Sequence, residues 1–198
     1  MSYKPKVLAI AEGGSGVSSN TAYSVLFGGT TSTGPLQSIS VGSSGNVLLS
    51  NGAGSLPSFQ TVASTFIMNF NGVDNAGAPL DATTYYAGTR NTFETTQSRP
   101  QSWLYIPINC TLNAVYGRVV IAGTLGSNEN VSIYARVNNT TDTALTTTSQ
   151  WTTNPTLITA TSIGLSLSAG DYIQIKIVTP TWATNPTTVT TTFSLAFS

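Results

Sequence analysis

The chain has 198 residues, enough for one well-formed domain with an appendage, and only 7 % of them are charged, against about 25 % in an average soluble domain. Seven basic residues cancel seven acidic ones and no basic cluster exceeds the pair Lys4 and Lys6, which argues against a nucleic-acid partner and disfavours an anionic membrane surface. With no histidine and one cysteine, Cys110, neither a Ser-His-Asp nor a Cys-His arrangement nor a Cys/His metal site can form, so no catalytic residue, metal or cofactor is expected and the chain reads as a non-enzyme.

At the start, the apolar stretch Val7 to Ala11 is too short for a secretory signal, and no apolar run approaches the roughly 20 residues that span a bilayer. Gly13-Gly14-Ser15-Gly16 lacks the Lys-Ser/Thr of a phosphate-cradling loop and reads as a turn. From Gly13 to about Val62 the chain is dominated by Gly, Ser, Thr and Asn with isolated apolar residues, which cannot build a core alone. It is either a flexible linker or a segment that needs copies of itself to fold. A weak internal register favours the second reading: Val25-Leu26-Phe27 and Val47-Leu48-Leu49 lie 22 residues apart, and Pro35 and Pro57 keep the same spacing.

From Ser64 onward the texture changes to short β-rich runs between turn residues. Strands are predicted over 65–70, 102–108, 112–122, 130–137, 143–149, 156–161, 171–178 and 189–197. Val131, Ile133, Ala135 and Val137 share one face, as do Ile173, Ile175 and Ile177, and then Phe193, Leu195 and Phe197. Eight or more such strands at roughly 10-residue spacing, with no amphipathic helical window, predict an all-β sandwich or jelly roll. The domain reading is 1–62 for an attachment and Gly/Ser/Thr-rich shaft or tether, and 63–198 for a β-sandwich head.

Two aromatic regions are candidate binding sites. Trp151 with Asn154 and Trp182 with Asn185 form similar Trp/Thr/Asn/Pro loops 31 residues apart, where a flat ring for a pyranose stands beside amides for its hydroxyls. The competing reading is that each tryptophan caps the sandwich or fills a subunit interface. Tyr85, Tyr86 and Arg90, with Arg99-Pro100 before Trp103, form a second polar-aromatic region, expected in the long connection ahead of the main strands or in inter-strand packing. Tyr105, Val115, Tyr134, Phe193 and Phe197 are candidates for the core or a trimer interface. Asp74, Asp81, Glu94, Glu129, Asp142 and Asp171 sit in no recognisable catalytic motif, and the Asn-x-Ser/Thr sequons at Asn109, Asn130, Asn138 and Asn139 are what an Asn- and Thr-rich chain contains by chance.

The stretch GGSGVSSNTAYSVLFGGTTSTGPLQSISVGSSGNVLLSNGAGSLPSFQ, about a quarter of the chain, resembles a module of fibre and adhesin-like proteins of bacteriophages, large DNA viruses and virophages. The pattern SLSAGDYIQIKIV followed by TTTFSLAFS resembles the last strands of the tumour necrosis factor and complement C1q type of jelly roll, with Ser194-Leu195-Ala196 where a C1q-like domain often has a glycine. These resemblances imply a homotrimer with a three-chain shaft, a turn at Gly170 and Asp171, and Phe193 and Phe197 near the core or subunit interface. They imply attachment to virion or capsid proteins through the N-terminal part, a place on the virion surface, and a head that touches a host-surface glycan or protein without entering a membrane. A purely structural capsid decoration or fibre tip is the alternative, and a secreted cytokine-like ligand a third.

Overall fold

The computed structural model describes residues 14, 16–17, 19–31, 34–62, 65–73, 79–90, 92–96, 99–123, 126, 129–151 and 154–198, with the backbone alone at 71–73 and 147–149. The attachment segment expected at the N-terminus, like Glu12 and Asp74, lies outside the described residues. The chain divides into two compact units, Met1–Ala63 and Ser64–Ser198.

In the first unit the sequence repeat becomes two antiparallel hairpins. β1 (Val25–Phe27) pairs with β2 (Gln37–Ile39) and β3 (Val47–Leu49) pairs with β4 (Ser58–Gln60), so the Gly-rich, Pro-ended segments between them are the hairpin loops. Gly29 is required in its loop, because a Cβ there would sit 2.6 Å from the Gly34 carbonyl oxygen. In the second loop Asn51 takes the place of a core: its amide donates to the Leu56 carbonyl at 2.7 Å and accepts from Gln60 at 2.8 Å. The strands leave Leu26, Val47, Leu48 and Leu49 exposed.

The second unit contains β5 (Phe66–Val73), β6 (Thr84–Ala87), the two-residue β7 (Leu104–Tyr105), β8 (Cys110–Ala122), β9 (Asn130–Val137), β10 (Thr141–Gln150), β11 (Thr156–Leu167), β12 (Tyr172–Val178) and β13 (Thr188–Phe197). They form two antiparallel sheets, one ordered β11-β8-β13-β5 and the other β10-β9-β12-β6 with β7 also on β12. Setting β7 aside, the first long strand pairs with the last, the second with the seventh, the third with the sixth and the fourth with the fifth. That is one long hairpin rolled upon itself, the connectivity of a jelly roll.

Period-2 alternation drives the closure. On β13 Val189, Phe193, Leu195 and Phe197 point into the sandwich, opposite Ile173, Ile175 and Ile177 of β12 and Val131, Ile133 and Ala135 of β9. Each such aliphatic or aromatic side chain, removed from water, contributes about 1.5–3 kcal/mol before entropy is charged against it. Phe197 stacks on Phe66 at 4.7 Å, and Gly117 makes room for Phe193, whose ring carbons lie 2.8 Å from where a Cβ would stand.

Three expectations change. The strand expected over 102–108 contracts to Leu104–Tyr105, because Pro100 opens a 3-10 turn (Pro100–Ser102) and Pro107 has no N–H to give a ladder. Tyr85 and Tyr86, expected in a connection, lie instead on β6, paired with Ile177 and Lys176 of β12. β11 runs past its predicted end to Leu167 through an irregularity at Thr161/Leu165, where Ser162 and Gly164 take positive φ.

Candidate functional site

Tryptophan placement decides between the two sequence candidates. Trp151 and Trp182 are 3 % and 6 % exposed and lie against each other, ring centroids 5.9 Å apart, so neither presents a face on which a sugar could stack. Both are part of the buried cluster at one end of the sandwich, and neither indole N–H has a hydrogen-bond partner among the described residues. The neighbouring amides hold backbone and loop together: Asn154 donates to the Ile121 carbonyl at 2.7 Å, and Asn185 donates to Asp81, which also accepts the Trp182 backbone N–H at 3.0 Å. Glu129, itself buried, accepts the backbone N–H groups of Ala183 and Thr184.

Val115, Phe193 and Phe197 are wholly buried within the single chain. Tyr85 also faces the interior, tilted against Phe93 at 5.7 Å, and its hydroxyl accepts the Leu80 N–H at 2.8 Å. The remaining candidates lie on the outer side of the β10-β9-β12-β6 sheet, the buried Tyr86 with Tyr134 and Arg90 at one level and Tyr105 four residues along β12 from them.

That face can be built from register. Because Ile173, Ile175 and Ile177 point inward, Tyr172, Gln174 and Lys176 point outward, and cross-strand pairing sets Tyr105 beside Tyr172, Arg136 beside Gln174, and both Tyr86 and Tyr134 beside Lys176. On β10, Asp142 pairs with Arg136. Glu94 extends the Tyr86 row by one further backbone bridge, with N–H to carbonyl bonds of 2.8 and 3.0 Å in the two directions.

Between β6 and β7 the chain makes an excursion, 88–103, that returns to the same strand. Gly88 is its hinge, since a Cβ there would meet the Ser102 carbonyl oxygen at 1.6 Å, and Thr89 bonds back to Ser102 and Gln101. The 3-10 turn then delivers Trp103 to the outer face. Its indole lies flat on Tyr172 at 3.9 Å and 11°, with Tyr105 edge-on to it at 6.0 Å. Tyr105 is 55 % exposed while Trp103 and Tyr172 are half-buried, so the three-ring stack presents chiefly Tyr105 to solvent.

Charge gathers on the same face. Asp142 accepts from Arg136 and from Lys176, each at 2.6 Å, and the Lys176 ammonium lies 5.2 Å from the Tyr134 ring centre. Burial of Asp142 would raise its pKa, but the hydrogen bonds from Lys176 and then Arg136 outweigh it and hold the carboxyl below its ordinary value. Glu94 in turn lies 2.9 Å from Arg90 and 3.3 Å from Arg99. Gln174, in the middle, is wholly buried with neither amide atom partnered among the described residues. Where β12 begins, Asp171 accepts from Asn138 at 2.7 Å and from the Ser168 N–H at 2.8 Å, and these bonds hold its carboxyl low; with Gly170 at positive φ this is the expected Gly-Asp turn.

Sequence reasoning named neither Tyr172, Gln174, Lys176 nor Arg136 as site residues. Their signal was the other half of an alternation already noticed: the strands whose apolar faces are Val131/Ile133/Ala135 and Ile173/Ile175/Ile177 carry Tyr134/Arg136 and Tyr172/Gln174/Lys176 between them. Among the described residues no group of three His, Cys, Asp or Glu gathers as a metal site, and Cys110 is a free thiol whose pKa burial pushes up.

No protein-family model and no curated protein sequence matches the chain. Among solved structures, the chain is similar to one from the structure of infectious bursal disease virus Gx strain, with TM-score 0.40 and 11 % identity over 77 % of this chain and 37 % of that one. It is also similar to a chain of the infectious bursal disease virus VP2 subviral particle, with TM-score 0.30 and 9 % identity over 77 % and 42 % of the two chains. The chain therefore covers less than half the length of either, and a likeness this distant carries no argument about activity.

Proposed function

We propose that the chain is a non-enzymatic virion surface protein, the head of a trimeric fibre whose β10-β9-β12-β6 face recognises a host-surface glycan. The observation that carries recognition is the stack of Trp103, Tyr172 and the exposed Tyr105 on a rigid sheet, with charged side chains on the same face in a chain where charge is scarce. Sites on strands hold their geometry better than sites on loops, and aromatic faces bury large area at little entropic cost. The virion assignment rests on the fibre-module resemblance of residues 13–60, whose repeat is the pair of β hairpins, and attachment to virion proteins belongs to the N-terminal part. Full-length chain added to host cells should bind saturably, and Tyr105→Ala should lower that binding about tenfold or more while Trp151→Phe leaves it unchanged. Equal binding by the Tyr105→Ala variant would end the assignment of this face.

One observation favours an assembly role beside recognition. An apolar groove of about 250 Å³ opens between the edges of β5 and β7, lined by Phe66, Met68, Leu104, Tyr105, Ile106 and Ile108. Tyr116 and Leu157 stand exposed on the outer face of the β11-β8-β13-β5 sheet. A groove on one edge and apolar knobs on a different face make a heterologous contact, which closes only as a ring. A homotrimer is the ring this reading adopts, with each head lending its sheet face to a neighbour's edge.

A further inference from the structure

We infer that the sheet face takes an acidic oligosaccharide, such as one ending in a sialic or uronic acid residue, with one sugar ring on the Tyr105 and Trp103 side and the carboxylate of a linked residue on Arg99 and Arg90. The inference rests on the glycan reading above and adds the ligand's charge.

Charge complementarity carries it. Among the described residues of this face Arg90, Arg99, Arg136 and Lys176 stand against Glu94 and Asp142, with Asp171 where β12 begins, so one positive charge is in excess, and it lies on the Arg90/Arg99 side. The two triads differ in use. Arg136 and Lys176 are 12 % and 20 % exposed and converge on Asp142, a structural arrangement that fixes the sheet. Arg90 and Arg99 are 43 % and 53 % exposed and share the nearly buried Glu94, which orients both guanidinium groups yet neutralises only one.

Each arginine commits one nitrogen to Glu94: Nη1 of Arg90 and Nε of Arg99. The terminal Nη pair of Arg99 has no partner among the described residues. That pair is the fork that a carboxylate accepts bidentately, and it is held on a carboxylate that cannot itself leave. The link between fork and stack is short: the Ser102 N–H donates to the Arg99 carbonyl and the Trp103 N–H to the Pro100 carbonyl, so one 3-10 turn separates the guanidinium from the first ring. By register the Tyr105/Tyr172 row lies four residues, about 14 Å, along β12 from the Tyr86/Lys176 row that Glu94 extends, which puts rings and cations within the reach of a few linked sugar units. A neutral glycan would leave the Arg99 fork facing water.

The test uses the full chain and four probes: sialyllactose and digalacturonate, each carrying a carboxylate, and lactose and cellobiose, which carry none. Binding by calorimetry or biolayer interferometry should be about tenfold or more tighter for at least one acidic probe than for either neutral one, and should weaken as salt rises from low concentration to about 0.5 M. The double substitution Arg90→Gln and Arg99→Gln should lower acidic binding about tenfold and leave neutral binding as it was, with the far-ultraviolet spectrum showing the head still folded. Tyr105→Ala should lower both kinds. The inference is overturned if neutral probes bind as tightly as acidic ones, if the arginine variant binds acidic probes like the parent, or if none of the four binds. In the first two cases recognition by the face still stands; a Tyr105→Ala chain that keeps all binding removes the glycan reading itself. The salt titration needs no variant, so a misfolded substitution does not leave the question open.

Discussion

Asp142 is the residue on which the recognition face is hung. It holds Arg136 and Lys176 at 2.6 Å each. Its carboxyl lies below the ordinary value although burial opposes that, because the two cationic donors outweigh burial. A carboxyl whose folded pKa is depressed stabilises the fold above its unfolded pKa, near 4, and loses that contribution as pH falls through the lower folded value. Thermal melts across acid pH should therefore show stability declining below about pH 4, with Asp142→Asn flattening part of that slope and costing about 1 kcal/mol at neutral pH. The buried tryptophans make a second prediction at this scale. Since the Trp151 indole N–H has no partner among the described residues, Trp151→Phe removes no hydrogen bond to them and should cost less than about 1.5 kcal/mol, whereas Trp151→Ala opens a cavity worth about 3–5 kcal/mol. Denaturant midpoints of the two variants check this; similar losses in both would contradict it. The sequence could place Trp151 and Trp182 in similar loops, but not say that those loops fold inward, since that depends on Asp81, Asn154 and Glu129 closing the end of the sandwich from distant parts of the chain.

Among elements, the strands were legible wherever one face is apolar and the other is not. β9, β12 and β13 come within a residue of their predicted limits because a slip of one would turn Ile133, Ile175 or Phe193 to water. β6 was hidden: four residues are too few to display a period, and Tyr85 and Tyr86 are both aromatic although one faces the core and the other the outer side. The excursion 88–103 was equally opaque, since its path is fixed by a contact between Gly88 and Ser102 that only the folded sheet creates. That contact is testable. Gly88→Ala cannot be accommodated without moving Ser102, so the excursion should loosen and trypsin should cut after Arg90 faster than in the parent, while the far-ultraviolet spectrum of the head persists. Unchanged proteolysis would show that the excursion is held elsewhere. The Arg90/Arg99 pair on Glu94 could be guessed from sequence as a polar-aromatic region, but its alignment with Lys176 and Tyr134 comes from sheet register alone.

For the whole molecule, the jelly roll has a polar-aromatic face and an open apolar groove, and Tyr105 borders both. In the proposed reading the β10-β9-β12-β6 face meets a ligand, while the β5/β7 groove and the exposed Tyr116 and Leu157 meet neighbouring copies. The two hairpins of the first unit, with Leu26 and Val47 to Leu49 exposed, call for the same remedy of shared burial. In the proposed trimer three linked heads gain by effective concentration, so each site can be weak. Sedimentation equilibrium of the full chain should report three copies at micromolar concentration, with Leu157→Asp shifting it toward the monomer; a monomer throughout would remove the trimer. The claim on which the account turns is that the aromatic stack with its exposed Tyr105, and not the tryptophan loops, meets the ligand. Its most direct measurement is a glycan array probed in parallel with the parent chain, Tyr105→Ala and Trp151→Phe. The account predicts a defined set of bound glycans that Trp151→Phe retains and Tyr105→Ala loses; retention by Tyr105→Ala with loss by a folded Trp151→Phe would contradict it.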